Sequence, residues 1–308
     1  MRHRPTPLNK KDVAYAAFCV CIFVYMLVFF AMKDYCGADS VVTMRYDPYE
    51  FAVSVHNEGD DQVISKFIRQ NARYPSVDEM EKVCRIVNCY KGTVFVEVGS
   101  ALGMVGLYAA SRGMRVYAFD PLSPNIRKLR QSLCINMRRY CKNRAQCAFS
   151  LFSVSHSLVG ASIQPARLVE SEPGNLAATM RGGGSFKDNV TTTTIDLSVP
   201  ENIELMLLTC QGFEYEALMG AREHIAAGRV RNIIWRRHYM GPEYDVKARM
   251  IVEFLLKKGY ELFNIEGTSI IPLYSGAMEY VTQPRVFGEH PNVLASLGSN
   301  SFAVTDDA

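Results

Sequence analysis

Net charge is nearly missing from this chain: 34 lysines and arginines stand against 31 aspartates and glutamates, leaving +3 over 308 residues. So small an excess, with no basic face interleaved with aromatics, argues against a nucleic acid as partner. No C-x-x-C pair occurs among the nine cysteines, which excludes the common zinc spacings, and no metal is expected. The dinucleotide fingerprint G-x-G-x-x-G is absent, as are internal repeats and Pro/Ser-rich low complexity. A hydrophobic share of 48% and a charged share of 21% nevertheless describe a folded chain. It has room for one domain of ordinary or larger size plus appendages.

The longest feature present is an uncharged run, VAYAAFCVCIFVYMLVFFAM, over residues 13–32. It is long enough to cross a bilayer as a helix. Arg2, Arg4, Lys10 and Lys11 precede it against Asp12 alone, whereas Lys33 is followed by Asp34 and Asp39. The positive-inside bias then keeps residues 1–12 as a cytosolic tail and sends the rest across. The expectation is a single-pass type II signal anchor in the ER or Golgi membrane, with the folded domain in the lumen. A cleaved signal peptide is the other reading, with Cys36, Gly37 and Ala38 offering small residues at a cut. The run is longer than a signal core of 7–15 residues, which favours the anchor. Cys19 and Cys21 lie in the run, leaving seven cysteines after it. In an oxidising lumen some would pair, and the odd count leaves at least one free or intermolecular; the pairing is not readable. Asn189-Val190-Thr191 is the single glycosylation sequon.

Residues 33–60 are mixed and polar and read as a stem. A domain over 61–290 follows, and a loose tail over 291–308. Helical spacing predicts helices near 61–72 and 77–88, the second capped by Ser76. Strands and helices then alternate: strand 93–98, helix 102–112, strand 115–119, helix 124–138, strands within 147–169, and a glycine-rich turn at 182–184. A Thr-rich strand 190–197, strand 203–208, helix 213–227, strand 231–235, helix 246–258 and strands near 260–265 and 268–273 continue the series. Strands at 279–287 would add an antiparallel edge. Such alternation predicts an α/β fold with a doubly wound, mostly parallel sheet.

In VFVEVGSALG, residues 94–103, a buried-type strand opens into a glycine loop. Gly99, Gly103 and Gly106 mark the turn and the start of the next helix. Glu97 discriminates among ligands. A pyrophosphate on this helix N-terminus would sit beside a carboxylate with no cation in the loop to offset it. S-adenosylmethionine has no phosphate and carries a sulfonium and an ammonium, so a carboxylate suits it. The second strand ends in Tyr117-Ala118-Phe119-Asp120, and an acid there can accept both ribose hydroxyls. Taken singly, Glu97 and Asp120 could also be helix caps.

Residues 94–136 resemble the opening of the FkbM-type methyltransferases, S-adenosylmethionine-dependent O-methyltransferases. An acid-x-Gly loop, a second strand ending in acid-Pro and an Asn closing the next helix match at Glu97, Gly99, Gly103, Asp120, Pro121 and Asn136. The likeness resumes at TTTTID, residues 191–196, and GFEYEALMG, residues 212–220, and covers roughly 75–275. It implies a Rossmann-like methyltransferase fold behind the membrane helix. It also implies cofactor contacts from Glu97, Gly99, Ser100, Gly103 and Asp120.

The pattern breaks on the far rim. Where the family runs Lys, apolar, Asp, apolar, Glu, Gly, this chain has Leu207-Leu208-Thr209-Cys210-Gln211-Gly212; Trp235-Arg236-Arg237-His238 places Arg236 at a family acid and keeps the His. The family's Ala-x-Ser-Asp turn on the adenine side reads Ser153-Val154-Ser155-His156, making Ser155 and His156 cofactor candidates. His238 is the candidate general base, with a buried structural histidine or a strand cap as the alternative. Asp196 is a second catalytic candidate, with a turn residue as its alternative. The expected function is a membrane-anchored O-methyltransferase acting on a hydroxyl of a glycan, lipid or metabolite. The alternative is a non-catalytic binding or scaffold protein of the same fold with a degenerate rim.

Overall fold

The computed structural model describes residues 36–143, 147–170, 176, 179–181, 186–236, 242–266, 269–273, 276–282 and 292–297. The apolar run 13–32, the glycine-rich turn 182–184 and His238 lie outside them. Among the described residues no helix is long and apolar enough to cross a membrane.

Part of the expected stem is domain core. β1 (Val41–Tyr46) and β2 (Tyr49–Ser54) pair as an antiparallel hairpin. Met44, Phe51 and Val53 in it are fully buried. The mean polarity of 33–60 conceals a local alternation, in which Met44 and Tyr46 point inward around exposed Arg45. α1 (Ile64–Asn71) follows. α2 (Pro75–Val83) starts from Tyr74 with Pro75 in its first turn, so Ser76 lies inside the helix and buried rather than capping it.

The alternating series begins with β3 (Val94–Val98), buried at every position, and α3 (Met104–Ser111). β4 (Arg115–Asp120), α4 (Ser123–Tyr140) and β5 (Phe152–His156) come next. β6 (Leu158–Val159), β7 (Pro165–Glu170), β8 (Thr179–Arg181) and β9 (Phe186–Thr193) form a separate sheet in the order β6-β9-β7-β8. α5 (Ile195–Ser198), β10 (Ile203–Leu208), α6 (Glu214–Met219), α7 (Arg222–Ala226) and β11 (Val230–Arg236) return the chain to the main sheet. α8 (Pro242–Lys257), β12 (Tyr260–Glu266), β13 (Ser269–Pro272), α9 (Ala277–Thr282) and β14 (Asn292–Leu297) complete it.

The main sheet has eight strands in the order β13-β12-β14-β11-β10-β3-β4-β5. From β11 to β5 every pairing is parallel, as expected for strands joined by helical crossovers. Three expectations change. The strand expected over 190–197 stops at Thr193, because the Thr194 hydroxyl accepts from Leu197 N and starts α5. The expected helix 213–227 is two short helices, α6 and α7. Residues 277–282 are helical, and the antiparallel strand comes instead from the expected loose tail. β14 inserts between β11 and β12, with Val293, Leu294 and Ala295 at 1%, 0% and 1% exposure. A six-residue apolar run has too little length to reveal its partners, which lie far away in sequence.

Disulfides Cys36–Cys134, Cys84–Cys89 and Cys141–Cys147 span Cα distances of 5.5, 5.1 and 5.2 Å, and Cys210 is free. The hairpin docks on α4 through several hydrogen bonds, Ser54 N donating to Ser132 Oγ at 2.8 Å among them, and the Asn136 amide makes two of them. Asn136 Oδ1 accepts from Ala52 N at 2.8 Å, and its Nδ2 donates to Ala52 O at 2.7 Å. Asn136→Leu leaves both backbone groups buried without partners, so we expect it to cost on the order of 2–4 kcal/mol. Urea unfolding of the oxidised chain measures this; a change under about 0.5 kcal/mol would show that the amide does not hold the hairpin.

Candidate functional site

β3 and β4 run parallel in register, Glu97 beside Ala118, and deliver Glu97 and Asp120 to the same edge of the sheet. The glycine loop between β3 and α3 is fastened to the end of β4: Gly99 N and Ser100 N both donate to Phe119 O, at 2.9 and 3.0 Å. Gly99 sits at φ +82°, and a Cβ there would lie 2.3 Å from Thr209 O. Only glycine lets the two strand ends approach so closely. Ala101 occupies the left-handed region at φ +47° and Gln211 at φ +51°, a conformation that costs an L-residue about 1–2 kcal/mol. Both line the cleft, where such strain concentrates.

Asp120 holds this geometry. Its Oδ2 accepts from Ala101 N at 2.7 Å; its Oδ1 accepts from Leu122 N at 2.9 Å and from Asn125 Nδ2 at 3.2 Å. Burial nevertheless pushes the carboxyl up to about 6, against the lowering effect of these donors. Among the described residues Glu97 has one hydrogen-bond partner, Gly106 N at 3.0 Å. A Cβ on Gly106 would stand 2.7 Å from Glu97 Oε2, so glycine is what admits the acid against the helix. Burial drives the Glu97 carboxyl well above its usual value; the Gly106 bond opposes this and Asp120 adds to it. A bound cation would pull both acids back towards ionisation. Ser100, 2% exposed, has its Oγ buried with no hydrogen-bond partner among the described residues.

These groups line a cleft of about 340 Å³ together with Thr209, whose hydroxyl donates to Gly99 O at 3.1 Å, and with Tyr74, Arg236 and Lys247. Its size falls within the range of small-molecule and cofactor sites. Two buried acids, an unpartnered hydroxyl and a glycine loop suit a ligand with a cationic end and sugar hydroxyls, which S-adenosylmethionine has. Asp120 Oδ1 is filled by two donors, while Oδ2, with one, retains capacity for a third party. No group of three metal-ligating side chains occurs among the described residues.

Of the residues singled out from sequence, Glu97, Gly99, Ser100 and Asp120 come together on the cleft wall. Gly103 lies behind it, at φ +74° ahead of α3. Ser155 and His156 do not line it. Ser155 Oγ bonds Ser157 Oγ at 2.8 Å, and Ser157 does line the cleft; His156 is exposed, with Nε2 2.9 Å from Pro121 O. Asp196 stands apart. Its carboxylate accepts from Glu223 N and His224 N at 3.0 and 2.9 Å and meets His224 Nδ1 at 2.8 Å, holding the start of α7. His238 lies outside the described residues.

The rim also holds partners that sequence spacing does not reveal. Arg236 is not a lone cation: its Nη2 meets Glu79 Oε2 at 2.8 Å and its Nε donates to Asn292 Oδ1 at 3.0 Å. Asn292 Nδ2 closes the triangle on Glu79 Oε1 at 2.8 Å. Lys247 pairs with Glu216 at 2.7 Å, its Nζ 5.7 and 5.8 Å from the Phe213 and Tyr244 ring centroids. Glu79 is 157 positions from Arg236, and nothing local in the sequence signals the pairing.

A family model described as the Methyltransferase FkbM domain matches residues 97–262. Among solved structures, Methyltransferase FkbM from Methylobacillus flagellatus KT is similar at 16% identity and a TM-score of 0.41, over 66% of this chain and 43% of that one. This chain therefore spans less than half of that protein's length. A candidate methyltransferase from Streptococcus mutans in complex with SAH is similar at 10% identity and a TM-score of 0.42, over 73% of this chain and 97% of that one. An rRNA methylase from Streptococcus thermophilus is similar at 11% identity and a TM-score of 0.39, over 73% and 98%. No curated protein matches the chain.

The burial of Glu97 has a pH signature. Its folded pKa is raised, so the folded state binds the proton more tightly than the unfolded state. Stability then falls as pH climbs from the ordinary carboxylate value through the folded one. We expect the Glu97→Gln variant, which lacks this loss, to gain stability relative to wild type as pH rises. Urea midpoints at stepped pH test it, and a difference that stays flat or shrinks with rising pH refutes the assignment.

Proposed function

The chain belongs to the FkbM methyltransferase family, and on that footing we propose that its cleft binds S-adenosylmethionine and directs methyl transfer to an acceptor hydroxyl. The carrying observation is the Ser100 hydroxyl, buried and unpartnered on a cleft wall that also bears Glu97 and Asp120. A buried polar group without a partner costs free energy, and a ligand supplies the partner. Glu97 would hold the cationic methionine end and Asp120 Oδ2 the ribose. When bound, S-adenosylmethionine supplies the electrophilic methyl group. The protein's part is then alignment of the acceptor and removal of its proton, with His238 as the candidate base. The acceptor is a glycan, lipid or metabolite hydroxyl.

A second reading, a scaffold that keeps the cofactor pocket without turnover, draws on the same rim. Thr209 and Gln211 replace family acids, and the Arg236 guanidinium is committed to Glu79 and Asn292. Calorimetric titration of the full chain with S-adenosylmethionine and S-adenosylhomocysteine tests the cofactor. We expect Asp120→Ala to weaken affinity about tenfold or more, the scale of a lost charged hydrogen bond; unchanged affinity would sink the assignment. Transfer of labelled methyl to an acceptor panel separates enzyme from scaffold. Activity should survive EDTA and fall in His238→Ala.

We further propose that residues 13–32 anchor the protein as a type II membrane protein with its domain in the ER or Golgi lumen. Three disulfides in a chain of this size suit an oxidising compartment. Asn189 is exposed and within its sequon. In intact microsomes the domain should resist added protease, and Asn189→Gln should remove a glycan if the sequon is used. Digestion without detergent would reverse the topology.

A further inference from the structure

Glu97 answers one charge of the ligand assigned to the cleft and leaves the other. The methionine end of S-adenosylmethionine is an α-amino acid, with an ammonium and a carboxylate on one carbon. A carboxylate beside Glu97 is repelled unless donors meet it. The cleft offers two donor groups that are unspent.

The first is Tyr74, which lines the cleft at the head of α2. Its backbone is clamped from the hairpin: Tyr46 Oη accepts from Tyr74 N at 2.7 Å and donates to Tyr74 O at 3.3 Å. Phe67 meets its ring edge-on, with centroids 6.3 Å apart. The Tyr74 hydroxyl itself has no hydrogen-bond partner among the described residues. Burial pushes the phenol above its ordinary value, while Arg236 lowers it and Glu97 raises it, so the hydroxyl stands within electrostatic reach of both. At neutral pH it is an uncharged phenol, able to donate.

The second is Arg236. Glu97 pairs with Leu207 across β3 and β10, and Leu207 with Ile234 across β10 and β11. Two residues past Ile234, Arg236 falls on the same face of the sheet as Glu97, where α2 brings Glu79 to it. Its Nε and Nη2 are taken by Asn292 and Glu79. Nη1 has no partner among the described residues, which leaves its N–H groups to a ligand. Glu79 and Asn292 fix the plane of the guanidinium, so these donors are held in place before a ligand arrives.

We propose that the Tyr74 hydroxyl and Arg236 Nη1 bind the α-carboxylate of S-adenosylmethionine while Glu97 takes its ammonium. This assignment rests on the cofactor reading of the cleft. It belongs to this chain and not to the family pattern: Tyr74 precedes the matched residues 97–262, and Arg236 stands where the resemblance expects an acid. The guanidinium then has a use that an acid could not serve.

Calorimetric titration of the full chain with S-adenosylmethionine and with its decarboxylated analogue, which lacks only the carboxylate, reads the contact directly. We expect the wild type to bind S-adenosylmethionine about tenfold or more tighter than the analogue, the scale of a charged hydrogen bond. Tyr74→Phe removes a hydroxyl that has no partner among the described residues, so the fold should be kept. It should weaken S-adenosylmethionine about tenfold and leave the analogue within about twofold of its wild-type affinity. Arg236→Gln should narrow the same gap between the two ligands, whatever it costs in stability. Equal weakening of both ligands by Tyr74→Phe would mark a packing role and overturn the proposal. So would a gap left whole by either variant, or a wild type that does not distinguish the two ligands. A wild type that binds neither ligand overturns the cofactor reading itself.

Discussion

The site depends on one buried carboxylate that has to be satisfied from three directions. Asp120 draws in the amide of Ala101 from the glycine loop, the amide of Leu122 at the head of α4 and the side chain of Asn125 one turn further on. A charge at this depth is unstable without donors, so the donors are held where it needs them. The left-handed turn at Ala101 is part of that arrangement. Asn125 extends it, since its Oδ1 meets His56 Nε2 at 3.1 Å, and His56 N in turn donates to Ser65 Oγ, which donates to Asp61. A single network therefore runs from the cleft edge of the sheet to the Asp61 carboxylate at the start of α1. It couples the N-terminal hairpin region to the loop that would receive a ligand.

The far wall shows how charge can be conserved in space while changing in sequence. By the family resemblance Arg236 stands where an acid is expected, which would make the rim positive. In three dimensions Glu79 arrives from α2 and neutralises it, with Asn292 bracing both. Lys247 is balanced by Glu216 in the same way. The substitution leaves a paired and hydrogen-bonded rim, not a cationic one, which fits a changed acceptor at least as well as decay.

What could be read from the sequence was local. The β3 run, the glycine loop, Glu97 and Asp120 lie within about twenty-five residues, and adjacent parallel strands bring such residues to one edge without further information. What could not be read depended on distant pairing or on averaging. The hairpin was hidden by the mean polarity of its segment, and β14 by its shortness. Glu79 and Asn292 were hidden because each finds Arg236 only after the sheet has formed. Asp196 shows a related limit: spacing alone leaves an acid after a strand end as either a site residue or a turn residue, and its donors here are the amides of α7. His224 beside it is 3% exposed and serves the same junction.

The place of β14 has a consequence for how the protein is made. β11 and β12 do not pair with each other; each pairs with β14. Until residue 297 has left the ribosome, the two sides of that gap present unpaired, strongly apolar strands. Synthesis and closure of the sheet are therefore separated in time: the parallel half can assemble early, while β12 and β13 wait for a partner that is synthesised after them. A chain stopped before Asn292 would retain both acids of the cleft. It would lack the strand that joins the sheet into one body and the amide that braces the Arg236–Glu79 pair.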